Sequence, residues 1–293
     1  MLIGPVFARE ITTVPRNWKF YLLRASYVGA LLGLVLTTWL ILLGSQNVRG
    51  LGELSRFGSA VFALLAPLQM ALAMAFAALL TTAAVAQEKD RRTLDLLLLT
   101  RMTNSELVLG KLFASSLGVY VLILAAVPLL MLLTLLGGVS FGQVLRVVLV
   151  TLAAATVASS LGSTFALWRE KTFQSLAMTS LALVLWLVGG EMLASGRFGV
   201  SWLGVPINDL AIAMSPLRAI LTAMQPITDV HPSLAWCGGP VNLFVMVGFV
   251  LATFLNLWAI ARVRSWNPSQ DAVPRLSDAP SEGSANSSAA ATS

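Results

Sequence analysis

Few residues in this 293-residue chain carry side chains suited to chemistry. There is one histidine, His231, and one cysteine, Cys237. Neither a site built on several imidazoles or thiolates nor an intramolecular disulfide can be made from them. His231 precedes Pro232 in a turn-rich stretch, so it is read as a surface or capping residue, not as the base of an intramembrane serine–histidine pair. Gly110-Lys111 invites comparison with a phosphate loop. That motif needs glycine five positions before the Gly-Lys glycine and Ser or Thr after the lysine, and Ser105 and Leu112 stand there instead. The chain is therefore expected not to be an enzyme, with no catalytic residue, cofactor or metal of its own. Intramembrane charges commonly mark ion or proton paths. The long apolar runs hold essentially none, and Glu191, at the edge of one, is read as paired with Arg197 or exposed at the interface.

The informative polar stretch is Gln87–Lys111, QEKDRRTLDLLLLTRMTNSELVLGK. Five basic residues (Lys89, Arg91, Arg92, Arg101, Lys111) and four acidic ones (Glu88, Asp90, Asp95, Glu106) nearly balance. A segment meant for anionic lipid would be mainly basic. Mixed charge around the apolar Leu94–Leu99 suits contact with another protein, and packing against the chain's own bundle is the alternative. Thr93 is placed to cap a short helix. Leu94 and Leu98, four apart, share one face of it with Leu97 alongside. Thr103-x-x-Glu106 before an apolar run has the form of a capping box, so a helix is predicted to begin there.

The elements that position this segment follow from composition. Apolar residues make up 57% of the chain and charged residues 11%, against about 25% charged in an ordinary soluble domain. Mean hydropathy is +0.83. Thirty-two charged residues (19 basic and 13 acidic) cannot cover a water-soluble surface of this size, and the chain is too apolar for disorder. Uncharged runs long enough to cross a bilayer predict an all-α membrane protein with six spans, near 21–44, 58–87, 112–137, 146–168, 172–194 and 240–262. Continuous apolar runs, not alternating ten-residue strands, exclude a β-barrel. The Gly137-Gly138 pair is taken to end the third span, with Val139–Val144 as a turn.

Lys and Arg placement sets the orientation. With the N-terminus inside, 14 of the 19 basic residues fall inside and five (Arg49, Arg56, Arg146, Arg197, Arg218) outside. The net charge of +6 is thus a topology signal and not a sign of nucleic-acid binding. Both termini are expected in the cytoplasm of a multi-pass protein of a bacterial plasma (inner) membrane. The first apolar run is longer than a signal-peptide core and is read as a retained span.

Residues 1–19 place Ile3, Phe7, Ile11, Val14 and Trp18 at helical spacing, with Pro15 near the end. They are read as an amphipathic interfacial helix on membrane lipid or a short juxtamembrane anchor. In the loop Glu191–Gly239, four prolines exclude a long helix, and Asn208–Met214 and Pro216–Met224 are predicted as short apolar helices. In the fourth span Ala155, Ser159 and Ser163 recur at four-residue spacing beside Ala158, Gly162 and Ala166, a pattern that permits close helix packing in lipid. It does not say whether the partner helix belongs to this chain or to a second copy. Residues 1–264 are read as one transmembrane domain. Residues 265–293, rich in Ser and Ala, are read as a disordered cytoplasmic tail.

The stretch Glu88-Lys89-Asp90-Arg91-Arg92-Thr93-Leu94-Asp95-Leu96-Leu97, followed by Ser105-Glu106-Leu107-Val108-Leu109-Gly110-Lys111, resembles the cytoplasmic signature of ABC-2 type transporter permeases. In those permeases a similar acidic-x-x-x-Gly-Thr-Leu-Glu segment follows the second span, and a Gly-Lys pair opens the third. Here Arg92 replaces the usual Gly and Arg101 a common Pro. The resemblance extends over roughly residues 1–264, including the amphipathic start, the six spans and Ser215-Pro216. It implies the membrane-spanning subunit of an ATP-binding cassette transporter, paired with a second permease copy or a homologous permease. A separate cytoplasmic ATPase subunit would bind the ATP. The resemblance also implies that Glu88, Arg91, Arg92, Thr93, Leu94, Asp95, Leu97 and Leu98 take part in coupling to it. A secondary transporter or channel working without ATP, and a structural membrane scaffold, are the alternatives from other classes. Co-purification of a nucleotide-binding subunit would separate them.

Overall fold

The computed structural model describes residues 18–45, 51–90, 104–169, 171–194, 201–202, 205–226 and 238–266. Five long helices come first: α1 (Trp18–Ser45), α2 (Leu51–Asp90), α3 (Asn104–Leu136), α4 (Phe141–Trp168) and α5 (Thr172–Ala194). A two-residue antiparallel pair follows, β1 (Ser201–Trp202) with β2 (Val205–Pro206). Two short helices, α6 (Ile207–Met214) and α7 (Pro216–Ala223), lead to α8 (Pro240–Trp266). Among the described residues, six helices are long and apolar enough to cross a membrane, α1–α5 and α8. The chain is an all-α membrane protein. The expected interfacial helix lies outside the described residues, apart from Trp18 and Lys19, which already belong to α1. Of the expected tail, Ser265 and Trp266 are the last residues of α8, and the remainder lies outside the described residues.

The helices outrun the uncharged runs that announced them. At 1.5 Å per residue α2 is about 60 Å long, twice the roughly 30 Å of a hydrocarbon core. Its interior Pro67 does not break it, and α3 likewise contains Pro128. Neighbouring helices in a bundle can satisfy the backbone groups that a proline frees. α3 begins at Asn104, beside the expected capping box, eight residues before the span expected from charge alone.

The turn after α3 is shorter than the expected Val139–Val144. Gly137 and Gly138 adopt positive φ angles of 86° and 79°, a conformation open to glycine. α4 then starts at Phe141 and not near 146. The reason is a capping box. The Ser140 hydroxyl accepts from the Gln143 N–H while the Gln143 side chain accepts from the Ser140 N–H at 2.7 Å.

α4 is the central helix and packs most extensively against α2 and α8. Its small-residue face meets α2 of the same chain: a Cβ added at Gly162 would stand 2.6 Å from Thr82 Oγ1 and 3.1 Å from the Ala78 carbonyl oxygen. Buried hydroxyls and one amide link the helices across this region. Thr82 Oγ1 is 3.3 Å from Thr179 Oγ1 on α5. Asn256 on α8 donates to Ser160 Oγ at 3.0 Å, and Tyr120 on α3 pairs with Thr156 at 3.1 Å. Such bonds hold spans together where apolar burial drives no association. α1 and α5 are peripheral, and α5 exposes Leu181, Val184, Leu185 and Val188.

Candidate functional site

Asp90 and Asn104 end and begin the two helices that bracket the charged segment. Of the eight coupling candidates, Glu88 lies in the last turn of α2. Arg91, Arg92, Thr93, Leu94, Asp95, Leu97 and Leu98 lie outside the described residues, as does the short helix expected after Thr93. What the structure places is the platform from which the segment leaves and to which it returns.

That platform is a separate apolar cluster at one end of the bundle. Val85 and Ala86 of α2, Leu107 and Val108 of α3, Ala166 and Leu167 of α4, and Ala259 and Val263 of α8 are all buried together, with Ile260 and Trp266 packed against them. Polar ties run over it. Lys89 donates to the Leu167 carbonyl oxygen at 3.0 Å, joining the end of α2 to the end of α4. Asn104 donates to the Ile260 carbonyl oxygen at 3.4 Å, joining the start of α3 to α8. Exposed carbonyls in the last turn of a helix lack intrahelical partners, and a cation is favoured there by the helix dipole. Gly110 and Lys111 are buried in the second turn of α3. Four helices are thus fastened to one another at the ends of α2 and α3 that flank residues 91–103 in the chain.

Just past the platform, Arg169 lies over the Trp168 ring, its Cζ 4.2 Å from the centroid, and its Nε is 3.0 Å from Met178 Sδ on α5. These contacts hold the α4–α5 connection close to the bundle.

The opposite end carries a second polar assembly. Glu191, expected to pair with Arg197 or to stand exposed, keeps 41% of its side chain exposed and accepts from Arg218 Nε at 3.2 Å to each oxygen and from Nη2 at 2.9 Å. Arg197 lies outside the described residues. The Arg218–Glu191 pair follows from α7: Pro216 at its first turn and Ser215 as N-cap start the helix so that Arg218 faces the end of α5. The Ser215 hydroxyl accepts from the Arg218 N–H and lies 3.4 Å from Glu191 Oε1. Gly190 allows this approach, because a Cβ there would stand 2.6 Å from Ser215 Cβ. Trp186 donates from its indole to the Met214 carbonyl oxygen at 3.0 Å and stacks on Phe244 of α8. The C-terminal end of α7 is also tied to α4: the Gln143 amide donates to the Met224 carbonyl oxygen and Arg146 Nη2 to that of Gln225 at 2.7 Å.

No group of three or more His, Cys, Asp or Glu side chains able to hold a metal occurs among the described residues. Sequence reasoning missed the Ser140–Gln143 box, whose Ser-x-x-Gln spacing is the signal that finds it. It also missed the Arg218–Glu191 pair, for which no local signal exists. A family model described as ABC-2 family transporter protein matches residues 13–262. No curated protein matches the chain.

Proposed function

The chain belongs to the ABC-2 family of transporter proteins, and from that premise we propose that it is the permease subunit through which a separate ATPase drives translocation of a substrate across the membrane. The family match over residues 13–262 carries this reading. The clustered helix ends beside residues 91–103 support it, since they offer a place where force on one segment reaches four helices. A cytoplasmic ATPase docks on Glu88–Leu99, with Leu94, Leu97 and Leu98 as its apolar face and Glu88, Arg91, Arg92 and Asp95 as a charged rim. Thr93 caps the docking helix. ATP binding and hydrolysis take place in the partner, and the permease changes state through differential contacts at the docking segment. A second permease copy or a homologous permease completes the transporter, and the exposed apolar face of α5 supplies surface for that contact.

Proteoliposomes test this directly. The chain alone is expected to show no ATP hydrolysis. The partner ATPase is expected to hydrolyse ATP at a rate changed severalfold when the chain is present. An ATPase rate indifferent to the chain would return the reading to an ATP-independent transporter or a scaffold.

We further propose that the docking end faces the cytoplasm of a bacterial plasma membrane, with both termini on that side, from the 14-to-5 division of Lys and Arg. Cys237 is the only thiol and falls in the loop on the opposite side. A membrane-impermeant maleimide is expected to label it in intact spheroplasts. Labelling only after permeabilisation would invert the topology.

A further inference from the structure

At the end of the bundle away from the docking platform, α4, α6, α7 and α8, with Glu191 of α5, border an open cavity of about 1260 Å³. We propose that this cavity binds a phospholipid of the adjoining leaflet, with the headgroup phosphate on Arg146 and an acyl chain along the leucines of α4 and α7. The proposal uses the membrane-spanning fold and is independent of ATPase docking.

Two arginines, Arg146 and Arg218, and two carboxylates, Glu191 and Asp209, line the cavity. Arg218 spends its charge on Glu191, held by both carboxylate oxygens. Arg146 does not. Its Nε donates to the Gly142 carbonyl oxygen at 3.3 Å and its Nη2 to that of Gln225 at 2.7 Å. Both acceptors are neutral, and among the described residues no carboxylate forms an ion pair with Arg146. A guanidinium has five N–H donors in a planar fork, so donors and a full positive charge remain for an anion. Phosphate oxygens match that fork.

The walls specify the rest of the ligand. Gly142, Leu145, Arg146 and Leu149 all line the cavity, and their spacing of three, four and seven puts them on one face of α4. Arg146 stands five residues into α4 and Leu149 eight, about 7.5 and 12 Å along the axis from Phe141. Leu145 and Leu149 flank Arg146 on this face, so α4 presents one cation within an apolar stripe. On α7, Leu217 and Leu221 alternate with Arg218 and Thr222 around the same cavity. All four leucines remain partly exposed, apolar surface with no protein cover among the described residues. A free phosphate ion would use the arginine and leave the leucines uncovered. A ligand with an anionic head and an apolar tail uses both.

The test is lipid retention by the purified full-length chain in detergent, followed by native mass spectrometry as dioleoylphosphatidylglycerol is titrated. Dioleoylglycerol, which lacks the phosphate, and inorganic phosphate are run as separate arms. One retained phosphatidylglycerol is expected, with weaker retention of dioleoylglycerol and no displacement by inorganic phosphate. Arg146→Gln removes a charge-assisted contact and is expected to weaken retention about tenfold. Arg24→Gln, a change at an exposed basic residue on α1 outside the cavity, is expected to leave it unaltered. Equal retention by wild type and Arg146→Gln would overturn the proposal. So would equal retention of phosphatidylglycerol and dioleoylglycerol by the wild type, a comparison that needs no variant to fold. Displacement of the lipid by inorganic phosphate would reassign the site to a free anion and overturn it as well.

Discussion

Leu94→Asp or Leu98→Asp is expected to weaken ATPase association at least tenfold while leaving the six spans inserted. The two leucines sit four apart on one face of the proposed docking helix. Each leucine buried in a partner cleft contributes roughly 1.5–3 kcal/mol. Replacing it by aspartate loses that burial and places an unpaired carboxylate in an apolar contact, a further cost. About 1.4 kcal/mol is a factor of ten, so the loss of the leucine alone reaches that factor. Arg91→Glu is expected to be milder, because exposed rim charges contribute little to affinity. The measurement is co-purification of co-expressed ATPase, with membrane insertion checked in parallel. Undiminished association in both leucine variants would move the docking surface elsewhere and leave Gln87–Lys111 an ordinary loop.

Gly162→Leu is expected to cost about 3 kcal/mol or more of stability, at or beyond the top of the usual overpacking range. Even the first added carbon would meet Thr82 Oγ1 at 2.6 Å and the Ala78 carbonyl oxygen at 3.1 Å. The threonine hydroxyl can rotate, but the carbonyl belongs to the α2 backbone and cannot. α4 would have to move away from α2, opening the most extensive helix contact in the bundle and disturbing the Thr82–Thr179 hydroxyl pair. Gly162→Ala is expected to be weaker, since one methyl group can be met by rotation of Thr82. Thermal unfolding in detergent, followed by tryptophan fluorescence, reads the difference. A transition for Gly162→Leu coincident with wild type would show that α2 and α4 do not approach as closely as described.

Much of this architecture was legible in the sequence because lipid imposes a simple rule. Six uncharged runs announced six helices, since backbone polar groups in hydrocarbon must be satisfied within the segment. The short helices α6 and α7 were legible too, from Pro216 at a helix start and apolar windows between prolines. Boundaries were less so. Charge marks where a run leaves the hydrocarbon, whereas a helix continues until something caps it. That is why α2 runs on to Asp90 and why Ser140 starts α4 inside a run with no charge. Contacts between distant residues left no local trace. Lys89 and Leu167 are 78 residues apart, Asn104 and Ile260 156 apart, and Glu191 and Arg218 27 apart. The small-residue stripe of α4 could be seen, but only the fold identified α2 of the same chain as its partner. The proposed docking leucines stand out by spacing, while the surface proposed to receive them would belong to another protein and leaves no pattern here.

The central claim is that this permease works only with a separate ATPase held at Glu88–Leu99. It is tested most directly by affinity purification of the tagged chain from its native membrane in mild detergent, with every stoichiometric partner identified by mass spectrometry. The expected result is one ATPase subunit with a phosphate-binding loop per permease subunit, lost from the Leu94→Asp preparation. Recovery of the wild-type chain in functional form with no nucleotide-binding partner, or equal recovery of the ATPase with Leu94→Asp, would contradict the account.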